Sequence, residues 1–445
     1  MADVEAGNDG SANRAPLLLP IGSQKDDEKA EEEVGVDGVD ETLKRLELFL
    51  TVLGFKQSSG WSSTLWWGVF FLVGVVVPVV ILQLTDCSGD CEKYQISKFE
   101  LDIVASQACL AAVSLMCLSH NLTKFGIRRF LFVDRCTGHM ARFREEYVKM
   151  ISKSVRLLAI WILPCFFFKT GREILRLLNV RHESWWVSLS VLVGLVGSWT
   201  YTCIVYLSAC VIFRLVCNLQ ITQFDDYVKL LEREGDVLVL IEEHTRLRYC
   251  LSKISHRFRI FLVLEFVVVS ASQFVTLFQT TGCSGMITII NGSDFAISSL
   301  VQVVGVILCL NGATKISHRA QALASVASRW HSLVTCSSAD GSSQIRSTNG
   351  SGNFEATNTF NSFQSEYSES DMDSLEFGGM PSNTQFPSHM SSYHRRQSFV
   401  LYLQNNPGGI TIYGWTVDRG LITTIFFVEL ALVTFVLGKT IVFAA

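Results

Sequence analysis

The chain has 445 residues, of which 49% are hydrophobic and 18% are charged, and its mean hydropathy is +0.32. This composition argues against a set of soluble domains, because several long stretches with few charges are typical of transmembrane helices. The formal net charge of −4 says little, since the charges are segregated along the chain. The acid-rich N-terminus lacks the basic start and short apolar core of a signal peptide, so we expect the first apolar span to direct insertion.

The chain divides into four segments by composition. Residues 1–40 are predicted to be a disordered acidic tail, and residues 337–394 a Ser-rich disordered cytosolic loop. Residues 41–336 are predicted to form a membrane domain with six spans and cytosolic helical extensions, and residues 395–445 a re-entry segment and a seventh span. Residues 41–55 have apolar residues at helical spacing, which favours an amphipathic helix along the inner membrane face or an N-terminal extension of the first span.

Seven apolar stretches are predicted to cross the membrane. They are residues 65–84, 101–119, 157–174, 185–217, 260–280, 295–310 and 421–445. The connections 120–156 and 214–259 are rich in charge, and the second carries Leu, Ile and Val at helical spacing. We therefore expect helices that protrude below the membrane, with exposed charged loops as the alternative.

The distribution of Lys and Arg predicts the orientation. Thirty of the 37 lie before the first span or in the connections that follow the second, fourth and sixth spans. Positive charge is retained on the cytosolic side, which predicts a cytosolic N-terminus and a C-terminus outside. The sequence thus predicts an all-α membrane protein with seven transmembrane helices. The plasma membrane is the default location in the absence of a retention signal, with an endomembrane as the alternative.

The thirteen cysteines show neither CxxC nor a Cys/His spacing that would hold zinc, so the sequence predicts no metal site and no cofactor. Cys87, Cys91 and Cys283 fall in the predicted outer connections, where a disulfide among them and free thiols are both open. Asn291 begins an Asn-Gly-Ser sequon in an outer connection and is a candidate glycosylation site. No nucleophile–base arrangement or phosphate-binding glycine loop is present, so we expect neither an enzyme nor a nucleic-acid-binding protein.

Charged residues inside the spans are the candidate functional groups. Glu429 lies near the middle of the last span. At 100° per residue it shares one helical face with Ile422, Val433, Val436 and Thr440. If this face lines a pore, Glu429 attracts cations as a ring of carboxylates, and Val433 and Val436 form a hydrophobic constriction. The alternative is that Glu429 pairs with a neighbouring helix of the same subunit.

The other charges within or near the spans are given structural interpretations. Glu265, in the fifth span, is expected to make an interhelical hydrogen bond. Asp102, Lys169 and Arg172 lie near span ends, where long polar side chains can extend to the membrane surface.

A short pattern around the last helix carries a family resemblance. The run Gly414-Trp415-Thr416-Val417-Asp418 fits the Gly, aromatic, hydrophobic and Asp or Asn order found before the last helix of insect gustatory receptors. Thr434 and Phe435 stand where those receptors have Thr-Tyr, whereas 441–442 depart from their Gln-Phe. The chain resembles the insect gustatory and odorant receptor superfamily. Within this superfamily it resembles the plant gustatory-receptor-like proteins, which are classified as a domain family of unknown function.

The resemblance implies a homotetramer in which the last helix of each subunit surrounds one central pore. It also implies a small organic ligand that opens a cation-permeable path. The expected function is therefore a ligand-gated cation channel of chemoreceptor type in membrane lipid. A small-molecule carrier, or a non-conducting scaffold or receptor with the same fold, is the alternative. A G-protein-coupled receptor would need an external N-terminus, against the distribution of Lys and Arg.

Overall fold

A computed structural model of the protein describes most of the membrane domain and the segment that leads to the last helix. The described residues are 41–57, 60–84, 97–131, 140–179, 185–233, 236–282, 289–340, 392–417 and 419–442. The predicted acidic tail at 1–40 and nearly all of the predicted Ser-rich loop lie outside these residues.

Helices account for almost all of the described chain. They are α1 (residues 41–52), α2 (Gly60–Phe71), α3 (Val77–Leu84), α4 (Ser97–Phe130), α5 (Met140–Asn179), α6 (Trp185–Arg233), α7 (Val237–Gly282), α8 (Ile289–Asp340), α9 (Ser392–Asn405) and α10 (Arg419–Val442). A π-helical turn, Leu72–Val76, joins α2 to α3. Pro78 follows this turn after one intervening residue, Val77. Proline lacks an amide hydrogen and crowds the carbonyl four residues earlier, and the wider π turn relieves this crowding.

Within the described residues, six helical segments are long and apolar enough to cross a membrane. They are Gly60–Leu84, Phe99–Phe130, Glu146–Leu178, Trp185–Arg233, Val237–Phe278 and Gly292–Cys336. They overlap the first six predicted spans in order, which confirms an all-α membrane protein. The predicted seventh span is helical in α10 over 24 residues. Its crossing of the membrane and the orientation of the chain stay predictions.

Several helices continue well beyond the thickness of a bilayer. Helix α6 has 49 residues and α8 has 52, so each is longer than about 70 Å, against a hydrocarbon core of about 30 Å. The described part of the connection predicted at 214–259 is helical except at Asp236, because α6 runs to Arg233 and α7 starts at Val237. The Tyr227 hydroxyl donates to the Leu240 carbonyl over 3.0 Å and ties the two helices together there.

Helix α6 lies at the centre of the bundle, where it packs against α4, α5 and α8. Its middle is buried almost continuously from Thr202 to Phe213. Phe213 is fully buried and its ring lies 4.8 Å, centroid to centroid, from that of Phe258 on α7. The helices around α6 therefore share one apolar core.

Helix α1 is separate from the first span. Gly54 adopts a φ of +85°, which lets the chain leave the helix. The Phe55 amide donates to the Leu50 carbonyl over 2.9 Å and the Gly54 amide to the Thr51 carbonyl over 3.0 Å, which is the Schellman ending of a helix. The buried face of α1 consists of Leu43, Leu46 and Leu50. It is thus an amphipathic helix and not a continuous extension of α2.

Candidate functional site

A two-stranded hairpin stands immediately before α10. Strands β1 (Thr411–Ile412) and β2 (Trp415–Thr416) are antiparallel, with Thr411 opposite Thr416 and Ile412 opposite Trp415. The turn consists of Tyr413 and Gly414, with φ values of 47° and 86°. Positive φ at both positions defines a type I′ turn, in which glycine is favoured. The glycine of the sequence motif is thus explained by the geometry of this turn.

The hairpin is fixed to both α7 and α8. The Ile410 amide donates to Ser317 Oγ on α8 over 3.0 Å, and the Thr411 amide donates to Ser255 Oγ on α7 over 3.2 Å. The Val417 amide donates to the Ile410 carbonyl over 2.9 Å, and both of these residues are fully buried. These bonds hold the start of α10 in a defined position relative to the bundle.

Helix α9, which precedes the hairpin, docks on the same two helices. Phe399 is fully buried and its ring meets that of Trp330 on α8 edge-on at 6.3 Å. The Tyr402 hydroxyl lies 3.3 Å from His244 Nδ1 and 3.3 Å from Thr245 Oγ1, both on α7. The whole segment from α9 to α10 therefore lies on α7 and α8.

Within α10, Glu429 is directed into the bundle. Its carboxylate is 1% exposed, and Oε1 accepts a hydrogen bond from the Ser270 hydroxyl of α7 over 2.8 Å. Oε2 is buried and has no hydrogen-bond partner among the described residues. The carboxylate borders an apolar crevice between α8 and α10. The other residues that line the crevice are Val303, Val306, Ile307, Leu310, Ile425 and Phe426.

The two faces of α10 differ in exposure. The face centred on Glu429, which includes the half-buried Val433, contacts α7 and α8. The opposite face is exposed in the single chain and consists of Thr423, Thr424, Phe427, Ala431, Thr434, Phe435 and Gly438. This position of Glu429 agrees with the alternative interpretation, in which the carboxylate pairs with a neighbouring helix of the same subunit. The pore-lining assignment stays a prediction, and the side chains of Ile422, Val436 and Thr440 lie outside the described part.

The remaining predicted site residues are spread over the chain. Trp415 is 80% exposed on the hairpin, and Thr434 and Phe435 lie on the exposed face of α10. Asn291 lies in the first turn of α8, with its side chain outside the described part. Asp418, Cys87, Cys91 and Cys283 lie outside the described residues, so the glycosylation and disulfide assignments stay predictions.

The interpretation of Lys169 and Arg172 as residues that extend to the membrane surface is wrong. Both are buried, at 6% and 5% exposure, within a network of ion pairs. The network joins α4, α5 and α8 and consists of Lys169, Arg172 and Arg176 with Glu100, Glu173 and Asp294. Three cations face three carboxylates, so the buried charge is balanced.

The geometry of this ion-pair network is close. Arg172 lies 2.6 Å from an oxygen of Glu100 and 2.6 Å from one of Glu173. Lys169 Nζ lies 3.0 Å from Glu173 Oε1 and also contacts Asp294. Sequence reasoning missed the network because Glu100 and Asp294 come from other helices. The local signal was the close spacing of charged residues in this part of α5.

The hydrogen bond expected for Glu265 is present. The Tyr206 hydroxyl of α6 lies 2.8 Å from Glu265 Oε1 on α7 and 3.0 Å from the Gln302 carbonyl of α8. All three residues are buried. This buried polar contact therefore joins α6, α7 and α8.

The long apolar helices and buried polar contacts define an integral membrane protein of the all-α class. Residues 41–428 match the family described as "Protein of unknown function (DUF3537)". Because the match covers most of the chain, the protein belongs to this family. No curated protein matches the chain.

Proposed function

We propose that the protein is a subunit of a ligand-gated cation channel, a homotetramer in which α10 of each subunit lines a central pore. The ligand class is a small organic molecule, as the resemblance to gustatory receptors implies, and the plasma membrane is the default location. The observation that carries the proposal is the asymmetry of α10. One face packs on α7 and α8, and the opposite face is exposed in the single chain.

The exposed face of α10 has a chemistry suited to a pore. It places Thr423, Thr424 and Thr434 among apolar side chains. The hydroxyls of Thr423 and Thr424 donate to the carbonyls of Arg419 and Gly420 over 2.9 and 3.0 Å, which leaves their oxygen lone pairs free to face water or a cation. Phe427 and Phe435 on the same face supply bulk for an apolar constriction.

In this proposal Glu429 lies on the face of α10 that points away from the pore and fixes the helix against α7. The carboxylate is 1% exposed and bound to Ser270, so it reaches the pore only if α10 turns about its axis. The geometry therefore favours the exposed face over the Glu429 face as the pore lining.

The two faces can be separated by cysteine accessibility. Thr434→Cys and Val433→Cys change adjacent residues on the exposed and the packed face. A charged, membrane-impermeant thiol reagent is applied to membranes from both sides, with the unsubstituted protein as background. We expect reaction at position 434 and not at position 433, because charged reagents need water to approach a thiol.

The outcomes distinguish the alternatives. Reaction at position 433 would place water on the Glu429 face, as the sequence predicted. No reaction at either position would overturn α10 as a pore lining and favour a carrier or a non-conducting scaffold. The mass of the solubilised protein, corrected for bound detergent, provides an independent test. A fourfold assembly is expected. A protein that stays monomeric in several mild detergents would contradict the proposed central pore.

A further inference from the structure

Three potential metal ligands from three different helices converge in the centre of the bundle. Cys210 on α6, Glu265 on α7 and Cys309 on α8 each offer one donor atom, and these atoms all lie within 4.8 Å of one another. The residues are 0%, 2% and 1% exposed. They are 44 or more positions apart in sequence, so the fold alone brings them together.

We propose that Cys210, Glu265 and Cys309 bind a single zinc ion. Thiolate sulfur and carboxylate oxygen are both common zinc ligands, and three protein ligands with an open fourth position for water form a recognised type of zinc site. With bonds of about 2.3 Å to sulfur and about 2.0 Å to oxygen, tetrahedral geometry separates a sulfur from an oxygen ligand by about 3.5 Å. Cys210 Sγ lies 3.4 Å from Glu265 Oε1.

The surroundings orient the carboxylate as they do in known metal sites. The Tyr206 hydroxyl lies 2.8 Å from Glu265 Oε1, and such outer hydrogen bonds fix the direction of a ligand. Gly305 on α8 makes room for this hydroxyl, because a Cβ added there would lie 2.0 Å from Tyr206 Oη. Tyr206 is therefore a positioning residue, and the helix crossing at Gly305 allows it to reach Glu265.

The polar partners of the buried Glu265 carboxylate are neutral groups. Among the described residues, the groups in contact with Glu265 are a hydroxyl and thiols, and none is a cation. Binding of Zn²⁺ would displace the two thiol protons, so the net charge of the site stays at −1 while the carboxylate gains a directly bound cation. The buried carboxylate would then be paired as buried charges require.

A metal-free arrangement could satisfy the same distances. A protonated Glu265 would donate to Tyr206 Oη, and Tyr206 would donate to the Gln302 carbonyl, 3.0 Å away. The hydroxyl has a single proton and can serve one acceptor at a time. The two arrangements differ in whether the protein retains a metal, which can be measured directly.

The test uses the full chain, purified in mild detergent with a phosphine reductant and an affinity tag without histidine or cysteine. Elemental analysis by mass spectrometry is expected to find about one zinc per chain. After exchange with Co²⁺, thiolate-to-cobalt charge-transfer absorption in the near ultraviolet is expected. This measurement on the unsubstituted protein does not depend on the folding of any variant.

Substitutions then assign the ligands. Cys210→Ser and Cys309→Ser are each expected to lose most of the bound zinc. Cys217→Ser is the matched control, because Cys217 is fully buried two turns further along the same helix. Tyr206→Phe keeps the ring and is expected to weaken zinc binding by about 10- to 100-fold, as for other outer-shell partners.

Two results would overturn the proposal. One is unsubstituted protein that elutes as a single species without zinc and shows no cobalt–thiolate absorption after loading. The other is zinc that remains at the same stoichiometry in the double variant Cys210→Ser/Cys309→Ser. Neither result depends on ion conduction, so failure of the zinc site and failure of the channel proposal are separable.

Discussion

The Ser270 hydroxyl of α7 donates a hydrogen bond of 2.8 Å to Glu429 of α10, and both groups lie within long apolar helices. The bond satisfies one carboxylate oxygen, while the other is buried beside an apolar crevice. A polar group that is removed from water and left without a partner destabilises a fold, so this contact has a large influence on where α10 sits.

Ser270→Ala is expected to lower the free energy of unfolding by about 1–3 kcal/mol, because it leaves the Glu429 carboxylate without its donor. Thermal unfolding of the detergent-solubilised protein measures the change. Ser272→Ala, two residues along the same helix, is the control, since the described residues show no hydrogen bond between the Ser272 side chain and α10. The double variant Ser270→Ala/Glu429→Leu should recover most of the loss, because it replaces both partners by apolar groups. Equal melting of Ser270→Ala and the control would contradict this role.

Lys169→Met should destabilise the bundle by about 3–5 kcal/mol, since it leaves the carboxylates of Glu173 and Asp294 short of one buried cation. Lys153→Met is the matched control on α5, where the lysine is exposed. Denaturation in detergent compares the two.

The pairing itself is tested by the double variant Lys169→Met/Asp294→Asn. We expect it to be more stable than Lys169→Met alone, because it removes one of the uncompensated carboxylates. Additive losses from the two substitutions would show that these groups do not act as a pair.

Gly414→Ala is expected to destabilise the hairpin by about 1–2 kcal/mol, because an L-residue with a side chain is unfavourable at a φ of 86°. Gly438→Ala provides the contrast. A Cβ added at Gly438 meets nothing within 4 Å, and alanine is the better helix former. Protease cleavage rates around residues 406–418 report on hairpin stability. Equal rates in the two variants would contradict the turn assignment.

Gly305→Ala should disturb the crossing of α6 and α8, because the added methyl group would overlap the Tyr206 hydroxyl. Overpacking of this kind costs about 1–3 kcal/mol. Gly197→Ala on α6 is the control, since a Cβ there has no neighbour within 4 Å. A melting temperature of Gly305→Ala at or above that of the control would argue against the close contact.

The spans were predictable because each is a local property of the sequence. Hydrophobic runs such as Trp185–Cys217 identify themselves without knowledge of their neighbours. The helical continuation of α6 to Arg233 was also predictable, because apolar residues at helical spacing persist beyond the membrane run. Gly414 was recognised as part of a family motif, but the type I′ turn at this position was not predicted, because it depends on backbone angles that the sequence does not specify.

The clusters in the interior were not predictable, because their members come from distant helices. Arg172 forms an ion pair with Glu100, which is 72 positions away in sequence, and Cys210 contacts Glu265, which is 55 positions away. Cysteine spacing therefore gave no sign of the proposed zinc site, and the charges of α5 suggested contact with water. The direction of Glu429 was undetermined for a related reason. The periodicity of α10 defines a face, but the packing of α7 and α8 decides which face is covered.

Because Ser255 and Ser317 anchor the hairpin, α10 is held in place at its N-terminal end. The hairpin before it is bonded to α8 at Ile410 and to α7 at Thr411, and Ser270 of α7 bonds to Glu429, ten residues into the helix. Val442 lies 13 positions beyond this support, about 20 Å along the axis. A small tilt of α10 at the hairpin would therefore displace its C-terminal end further than its N-terminal end. Conversely, a force applied near Val442 would act most strongly on the angle of the helix at the hairpin.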